Sequence, residues 1–498
     1  MSRNRIIIVT IGIMSGLFMA SMEVTVVATA MPTIVSELGG LAIYSWVFTA
    51  YMLASTTTVP IYGKLADVYG RRPIYLAAMG LFLSGSLLSG WAQSMPQLIA
   101  FRTLQGLGAG GLIPLALTMV GDMFSAAQRA KMQGLFSGVW GVSSVIGPLL
   151  GGFLVDRISW PWVFYINLGP GAVAALLVWW AWQDEPREGG ASRVAIDYAG
   201  AALLSLSVVL LLMGLFEFGT LLGWGLLTLA AFAFVALAWV EWRASDPILP
   251  LPLFKDRLFS IACLQGLLAG WALFGSIAFV PLFVQSVLGT SATEAGATIT
   301  PLILGWVTAS IIGGRLVLRF SYRALVIFGA VMLAGGTFLL SQVGADATRL
   351  AIISYLTMMG VGMGLSIPIF LIIVQTSVPR RVLGSATSTL QFSRTIGGAF
   401  GVNVMGGVLS AGVAAGLLAA GLDPASVSVD SLLNPLPGSS VSLDQLAALR
   451  DVLTTAMRGT FLTAFVAALL ALAATWFTPK GHIFQLSSRQ PPAAEAEP

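Results

Sequence analysis

Three charged side chains stand deep inside apolar runs of the sequence: Glu23, Arg102 and Arg394. One acid and two arginines can exchange a proton, form an ion pair or meet a charged ligand. The residues for hydrolytic chemistry are missing. The only histidine, His482, lies in the C-terminal tail, so Ser-His catalysis and histidine-bound zinc hydrolysis have nothing to run on. The one cysteine, Cys263, sits in an apolar run and allows neither an intrachain disulfide nor a thiolate metal site. The only Gly-Lys step, Gly63-Lys64, is followed by Leu65, so no Walker-type nucleotide loop is present. No catalytic residue, metal or cofactor is expected. If the protein moves something uphill, the energy should come from an ion gradient or a partner.

These residues need elements that hold them in an apolar solvent. The 498 residues are 57% hydrophobic and 9% charged, against roughly 25% charged in soluble domains. The apolar residues fall into runs of about 20, the length at which a helix crosses a bilayer core of roughly 30 Å. Fourteen spans are expected, at 6–30, 43–62, 74–91, 98–120, 132–155, 162–182, 198–218, 222–242, 259–288, 295–317, 324–343, 350–374, 383–409 and 455–477. With the N-terminus in the cytoplasm, nineteen of the 25 Lys and Arg fall in cytoplasmic segments, three outside and three in spans. That is the positive-inside asymmetry. It places both termini in the cytoplasm and accounts for the net charge of +4 without a nucleic-acid partner. The chain reads as an all-α, multi-pass protein of the cell (cytoplasmic) membrane, with the lipid bilayer as its surroundings.

Depth then relates the charges. Glu23 lies 17 residues beyond Ile6, about 25 Å along a helix, in the outer part of the core. Arg102 enters from the outer side four residues past Leu98, about 6 Å deep. The two depths match. Arg394 stands near mid-membrane, and its counterpart in the first half is Ser144.

That counterpart comes from an internal repeat at an offset near 250. The stretch from Phe101 to Pro114 aligns with Tyr355 to Pro368, with a Thr, three Gly, an Ile and the Pro in common. Gly134, Ile146, Gly147 and Gly151 match Gly384, Ile396, Gly397 and Gly401. Six helices repeat as six in the same orientation with two between them, a 6+2+6 order. The expected units are a first bundle at 1–190, two inserted helices at 191–250 and a second bundle at 251–480. The second bundle carries an extracytoplasmic loop at 411–454, with 443–457 either a short surface helix or linker. A disordered tail follows at 481–498.

Four motifs remain. The loop after the second span reads Gly63-Lys64-Leu65-Ala66-Asp67-Val68-Tyr69-Gly70-Arg71-Arg72. The fourth span carries Arg102, Gln105, Gly106 and Gly108, and the fifth Gly134, Gly147-Pro148 and Gly151-Gly152. The first reads Met22-Glu23-Val24-Thr25 and ends on Pro32. Together these resemble the major facilitator superfamily, and within it the fourteen-helix drug:proton antiporters, over nearly the whole chain. Glu23 stands where that family usually has Asp, Ala28 where Asn is common, Ser143 where Gly is, and Leu318 at the second-half counterpart of Asp67.

The resemblance implies two pseudo-symmetric bundles around a central path. It makes the first and fourth helices neighbours, so Glu23 either exchanges a proton tuned by Arg102 or holds a permanent structural pair with it. Arg394, Gln105, Trp140, Trp271 and Phe392 are candidates for the cavity or its gate. Asp67 can accept hydrogen bonds from a helix N-terminus or pair with Arg71, and Asp122 can hold the same arginines. Gly134, Gly151 and Gly152 would let a neighbouring helix approach, and Gly147-Pro148 would soften the fifth helix. The function implied is proton-coupled export of lipophilic compounds by a monomer. Export of a lipid or endogenous metabolite is the alternative, ahead of a polytopic enzyme or sensor.

Overall fold

The computed structural model describes residues 2–39, 46–184, 197–217, 219–244, 247–249, 251–290, 292–419 and 443–483. In lipid each backbone group must bond within its own segment, so long apolar runs become helices. The first half holds α1 (Arg3–Leu38), α2 (Trp46–Tyr69), α3 (Arg71–Gly90), α4 (Met95–Met123), α5 (Ala126–Arg157), α6 (Trp162–Tyr165) and α7 (Leu168–Ala181). A hairpin follows, α8 (Tyr198–Phe216) and α9 (Leu221–Arg243). The second half holds α10 (Arg257–Ser286), α11 (Ala292–Leu316), α12 (Tyr322–Ser341), α13 (Arg349–Ser377), α14 (Leu383–Ala419) and α15 (Leu443–Trp476). Among the described residues, eleven helical segments are long and apolar enough to cross a membrane, α6 with α7 counting as one, and α8 is a shorter apolar helix. The remaining two, α2 and α5, lie between other helices, α2 against α4 and α14, α5 against α1 and α11.

The two halves repeat each other in packing. α4 packs on α2 and α3 as α13 packs on α11 and α12. α1 packs on α5 and α7 as α10 packs on α14 and α15. The halves meet along two equivalent seams, α2 with α14 and α5 with α11. The shared glycines explain the close fit. A Cβ on Gly106 would strike the backbone of Tyr51 in α2, and one on Gly360 that of Leu302 in α11. Two residues on, round the other side of each helix, Gly108 abuts the backbone of α3 at Phe82, and Gly362 that of α12 at Leu333.

Four expectations change. The sixth span is two helices, broken at Ile166 and Asn167. The loop expected at 411–454 is shorter, because α14 runs on to Ala419 and α15 starts at Leu443. The segment 443–457 is therefore the first part of a 34-residue helix and not a separate surface helix. Residues 420–442 of that loop lie outside the described residues. The tail is docked at its start: Ile483 is fully buried and Ser321 Oγ donates to the Gly481 carbonyl at 3.1 Å. Residues 484–498 lie outside the described set.

Candidate functional site

α1 and α4 pack within the first half and bring Glu23 to Arg102. Both are buried, with side-chain exposures of 0% and 1%. Arg102 Nη1 is ion-paired with Glu23 Oε1 and donates to Gln105 Oε1 at 2.6 Å. Asn167 Nδ2 donates to the other carboxylate oxygen, Glu23 Oε2. Asn167 and Gln105 also donate to Ser86 Oγ, at 3.1 and 3.2 Å, and Ser86 Oγ donates to the Phe164 carbonyl at 2.8 Å. The Arg102 guanidinium lies 4.1 Å from the centroid of the Tyr51 ring. An isolated carboxylate here would be costly, and the ion pair and amide bond offset the lost hydration. The expected pair exists, and α3 and the α6–α7 joint complete it.

Asn167 and Ser86 are the members that sequence reasoning missed. Asn167 was legible as the one amide in the apolar run 162–182, just before Gly169-Pro170. Pro170 falls in the first turn of α7, where its missing N–H costs nothing. Ser86 gives no signal among the other serines of the chain.

A second polar cluster joins the halves at the end that carries Arg71, Arg72 and Arg129. Asp67 accepts from the Gly384 N–H at 3.0 Å, the Ser385 N–H at 2.7 Å and the Ser385 hydroxyl at 2.7 Å. These donors open α14, where the first N–H groups have no helical partner and the dipole favours an anion. Asp67 also pairs with Arg71 at 2.8 Å, and Arg71 with Asp122 at 2.9 Å. Gly63, one turn earlier, lies against α14, and a Cβ there would stand 2.8 Å from the Gly384 carbonyl oxygen. Gly70 makes the turn between α2 and α3 at φ 96°, a left-handed conformation that favours glycine. Asp184, not singled out from sequence, accepts from the Arg71 N–H at 2.7 Å and so covers the start of α3. Arg72 lies over the Trp179 ring at 5.8 Å. Arg129 Nη1 donates to the Gln375 carbonyl at 2.8 Å, and Gln375 Nε2 to the Leu117 carbonyl at 3.1 Å, two further ties between halves.

The cavity candidates do not converge. Arg394 is partly exposed on α14 and donates to Gln391 Oε1 at 2.7 Å, one turn back on the same helix. Among the described residues no carboxylate lies within ion-pair distance of it. Trp271, on the adjacent α10, meets Phe400 edge-on at 5.0 Å. Phe392 packs with Leu53 and Leu204, toward the α8 hairpin. Trp140 is 38% exposed on α5. Only Gln105 joins Glu23 and Arg102.

The glycine motif of α5 divides in two. A Cβ on Gly134 would stand 3.0 Å from Ile311 Cγ1 of α11, and one on Gly147 would overlap Thr25 of α1. Gly151 is buried, and Pro148 stands within α5. Gly152, expected at a helix contact, faces open space with nothing within 4 Å of its Cβ position. About five turns beyond Gly134, it lies on the same face of α5 without a contact there.

The model of the Major Facilitator Superfamily matches residues 13–402. The multidrug transporter protein MdtP of Bacillus subtilis is 41% identical over 411 residues, which cover 81% of this chain and 75% of that protein. Multidrug resistance protein 3 of the same organism is 38% identical over 406 residues, 80% of this chain and 79% of that one. Among solved structures, the proton:xylose symporter XylE superposes with a TM-score of 0.64 at 14% identity, over 98% of this chain and 99% of that one. The human organic anion transporter MFSD10 gives a TM-score of 0.64 at 16% identity, over 94% and 100%. The fold is thus the major facilitator fold, and the chain belongs to the Major Facilitator Superfamily, as a multi-pass membrane transporter and not an enzyme.

Proposed function

We propose that the protein is a proton-coupled exporter of lipophilic compounds, crossing the cytoplasmic membrane fourteen times with both termini inside. The observation that carries this reading is the Glu23 network. The Glu23 carboxylate is fully buried and held among Arg102, Asn167 and their partners. The multidrug names of the two Bacillus subtilis relatives support small-molecule export. In the cycle we infer, the Asp67–α14 contact closes the cytoplasmic side while the path opens outward. A proton from outside reaches Glu23 and weakens its hold on Arg102, substrate leaves, and the halves rock. The proton departs inward. One charge crossing 100 mV supplies roughly 2.3 kcal/mol, enough for about a 50-fold substrate gradient.

The test is transport by purified protein in vesicles with an imposed pH gradient. Wild-type protein should accumulate dye and release protons in proportion. Glu23→Gln should abolish the gradient-driven component while retaining dye binding. Gradient-driven transport at wild-type rate in that variant would sink the coupling role.

A second reading is export of an anionic lipid or metabolite. Arg394 favours it, as a partly exposed cation on the second half whose hydrogen bond goes to the neutral Gln391. Competition of the dye by fatty acids or phospholipids, lost in Arg394→Ala, would decide for that reading.

A further inference from the structure

The second half carries a groove of about 510 Å³ between α11, α12 and α13, within the range of roughly 300–1,000 Å³ usual for small-molecule sites. Small residues make it. Gly305 and Ala309 are buried between the ridges of Leu304, Ile312 and Phe328, which are 55%, 48% and 51% exposed. The lining is apolar apart from Thr308 and Thr357, and the Thr357 hydroxyl donates to the Ile353 carbonyl at 2.7 Å. Such walls accept hydrocarbon. On α11 the groove reaches from Pro301 to Leu316, about 22 Å at 1.5 Å per residue. Half of a bilayer core is roughly 15 Å. The groove therefore opens at the Leu316 end of the span, passes mid-membrane and stops short of the start of α11 at Ala292. It serves one leaflet.

The open end is basic. Arg315 adjoins Leu316 and follows Ile312 by three residues, so it shares that face of the helix. It is exposed, as is Arg319 in the turn that follows. α11, α12 and α13 carry one acid between them, Glu294, at the far end of α11. The first half shows what meets the equivalent positions. At the offset that relates Asp67 to Leu318, Leu304 is the counterpart of Leu53, and Arg315 of Lys64. Leu53 packs with Leu204 of the inserted hairpin. Lys64 is 7% exposed and lies within electrostatic reach of Glu241, itself buried on α9. The hairpin thus brings an apolar body to one position and an acidic group to the other. Leu304 and Arg315 are instead exposed at the membrane face.

We propose that this groove holds an anionic phospholipid of the cytoplasmic leaflet, with an acyl chain between α11, α12 and α13 and the phosphate at Arg315. The chain lies where the first half has α8, and the phosphate where it has Glu241. The lipid is a resident of the bilayer and not cargo. It rests on the helix whose seam with α5 includes the bond from Ser137 Oγ to Ser310 Oγ at 2.8 Å, so it travels with the second half. The leaflet follows from the orientation proposed above. The site itself is independent of proton coupling and of the exported compound.

Photolabelling of the full chain in phosphatidylcholine nanodiscs tests it. The probe is a phosphatidylglycerol with a diazirine in its acyl chain, present in both leaflets, so the result does not depend on orientation or transport. Labelled peptides are read by mass spectrometry. Labelling should concentrate on 301–316 and 357–365, at least about fivefold above that by a phosphatidylcholine with the same tail, the equivalent of about 1 kcal/mol for one arginine. Arg315→Gln should bring the two probes level. Thr308→Trp, at an exposed position of the lining, should remove groove labelling by both probes and leave labelling of α9 unchanged, which reports an intact fold. Equal labelling by the two probes in wild-type protein overturns the proposal, as does labelling spread evenly over the exposed spans or unchanged by Arg315→Gln. Displacement of the lipid by a transported dye also overturns it, by making the groove a substrate site.

Discussion

Asn167 binds the oxygen of Glu23 that Arg102 leaves free. The carboxylate is thereby held from α4 on one side and from the α6–α7 joint on the other. Replacing Asn167 with Leu keeps the volume and removes the donor. We expect a loss of about 1–3 kcal/mol, the cost of leaving a buried charged acceptor unmet. Thermal unfolding in detergent should show it, with Asn167→Gln recovering part of the loss.

The ion pair itself should be strongly non-additive. Arg102→Leu alone strands a buried carboxylate and should cost about 3–5 kcal/mol. Combined with Glu23→Leu, most of that loss should return, because no uncompensated charge remains. Transport should stay absent in the double variant. A double-mutant cycle on thermal midpoints, run beside vesicle transport, separates the structural part of the pair from its part in coupling.

At the inter-half contact, Asp67→Asn keeps the shape but removes the charge that accepts three hydrogen bonds from Gly384 and Ser385. Bonds to a charged group contribute about 1.5–3 kcal/mol each. The population with α2 and α14 apart should rise by at least about tenfold. Spin labels on the ends of the two helices, in a Cys263→Ser background, should show a second, longer distance. Ser385→Ala should give a smaller shift of the same sign.

Gly108→Ala and Gly362→Ala should each destabilise the protein by about 1–3 kcal/mol, because the added Cβ meets backbone rather than a movable side chain. Gly152→Ala should lie within about 0.5 kcal/mol of wild type, since its Cβ faces open space. Expression level and thermal midpoint in detergent check all three.

The helices were legible because hydropathy alone marks a span, and the Glu23–Arg102 pair because depth along two helices can be computed from residue number and the family resemblance implies that those helices are neighbours. The repeated glycines also announced the matching of α4 with α13. What stayed hidden depends on rotation about a helix axis and on the chain ends between spans. Gly152 reads like Gly147 in sequence, yet one faces open space and the other Thr25. The break at Asn167 gives only a local signal, and its bond to Glu23 needs α1 and α6 in register. Asp184 covers the start of α3 across more than a hundred residues of chain. The burial of Glu241 follows from the segment at Leu249 folding back over it, which no periodicity foretells.

The alternating glycines of α4 and α13 have a mechanical consequence. Where one backbone rests directly on two others, there is no side-chain cushion to shear, so α2, α3 and α4 should travel as a solid block, and α11, α12 and α13 as its twin. Bending must then be concentrated in the remaining long helices, α1, α5, α10, α14 and α15. Of the described glycines that face open space within helices, Gly138 and Gly152 lie on one of these, α5. The carrier behaves less like an elastic barrel than like two stiff levers joined by compliant struts.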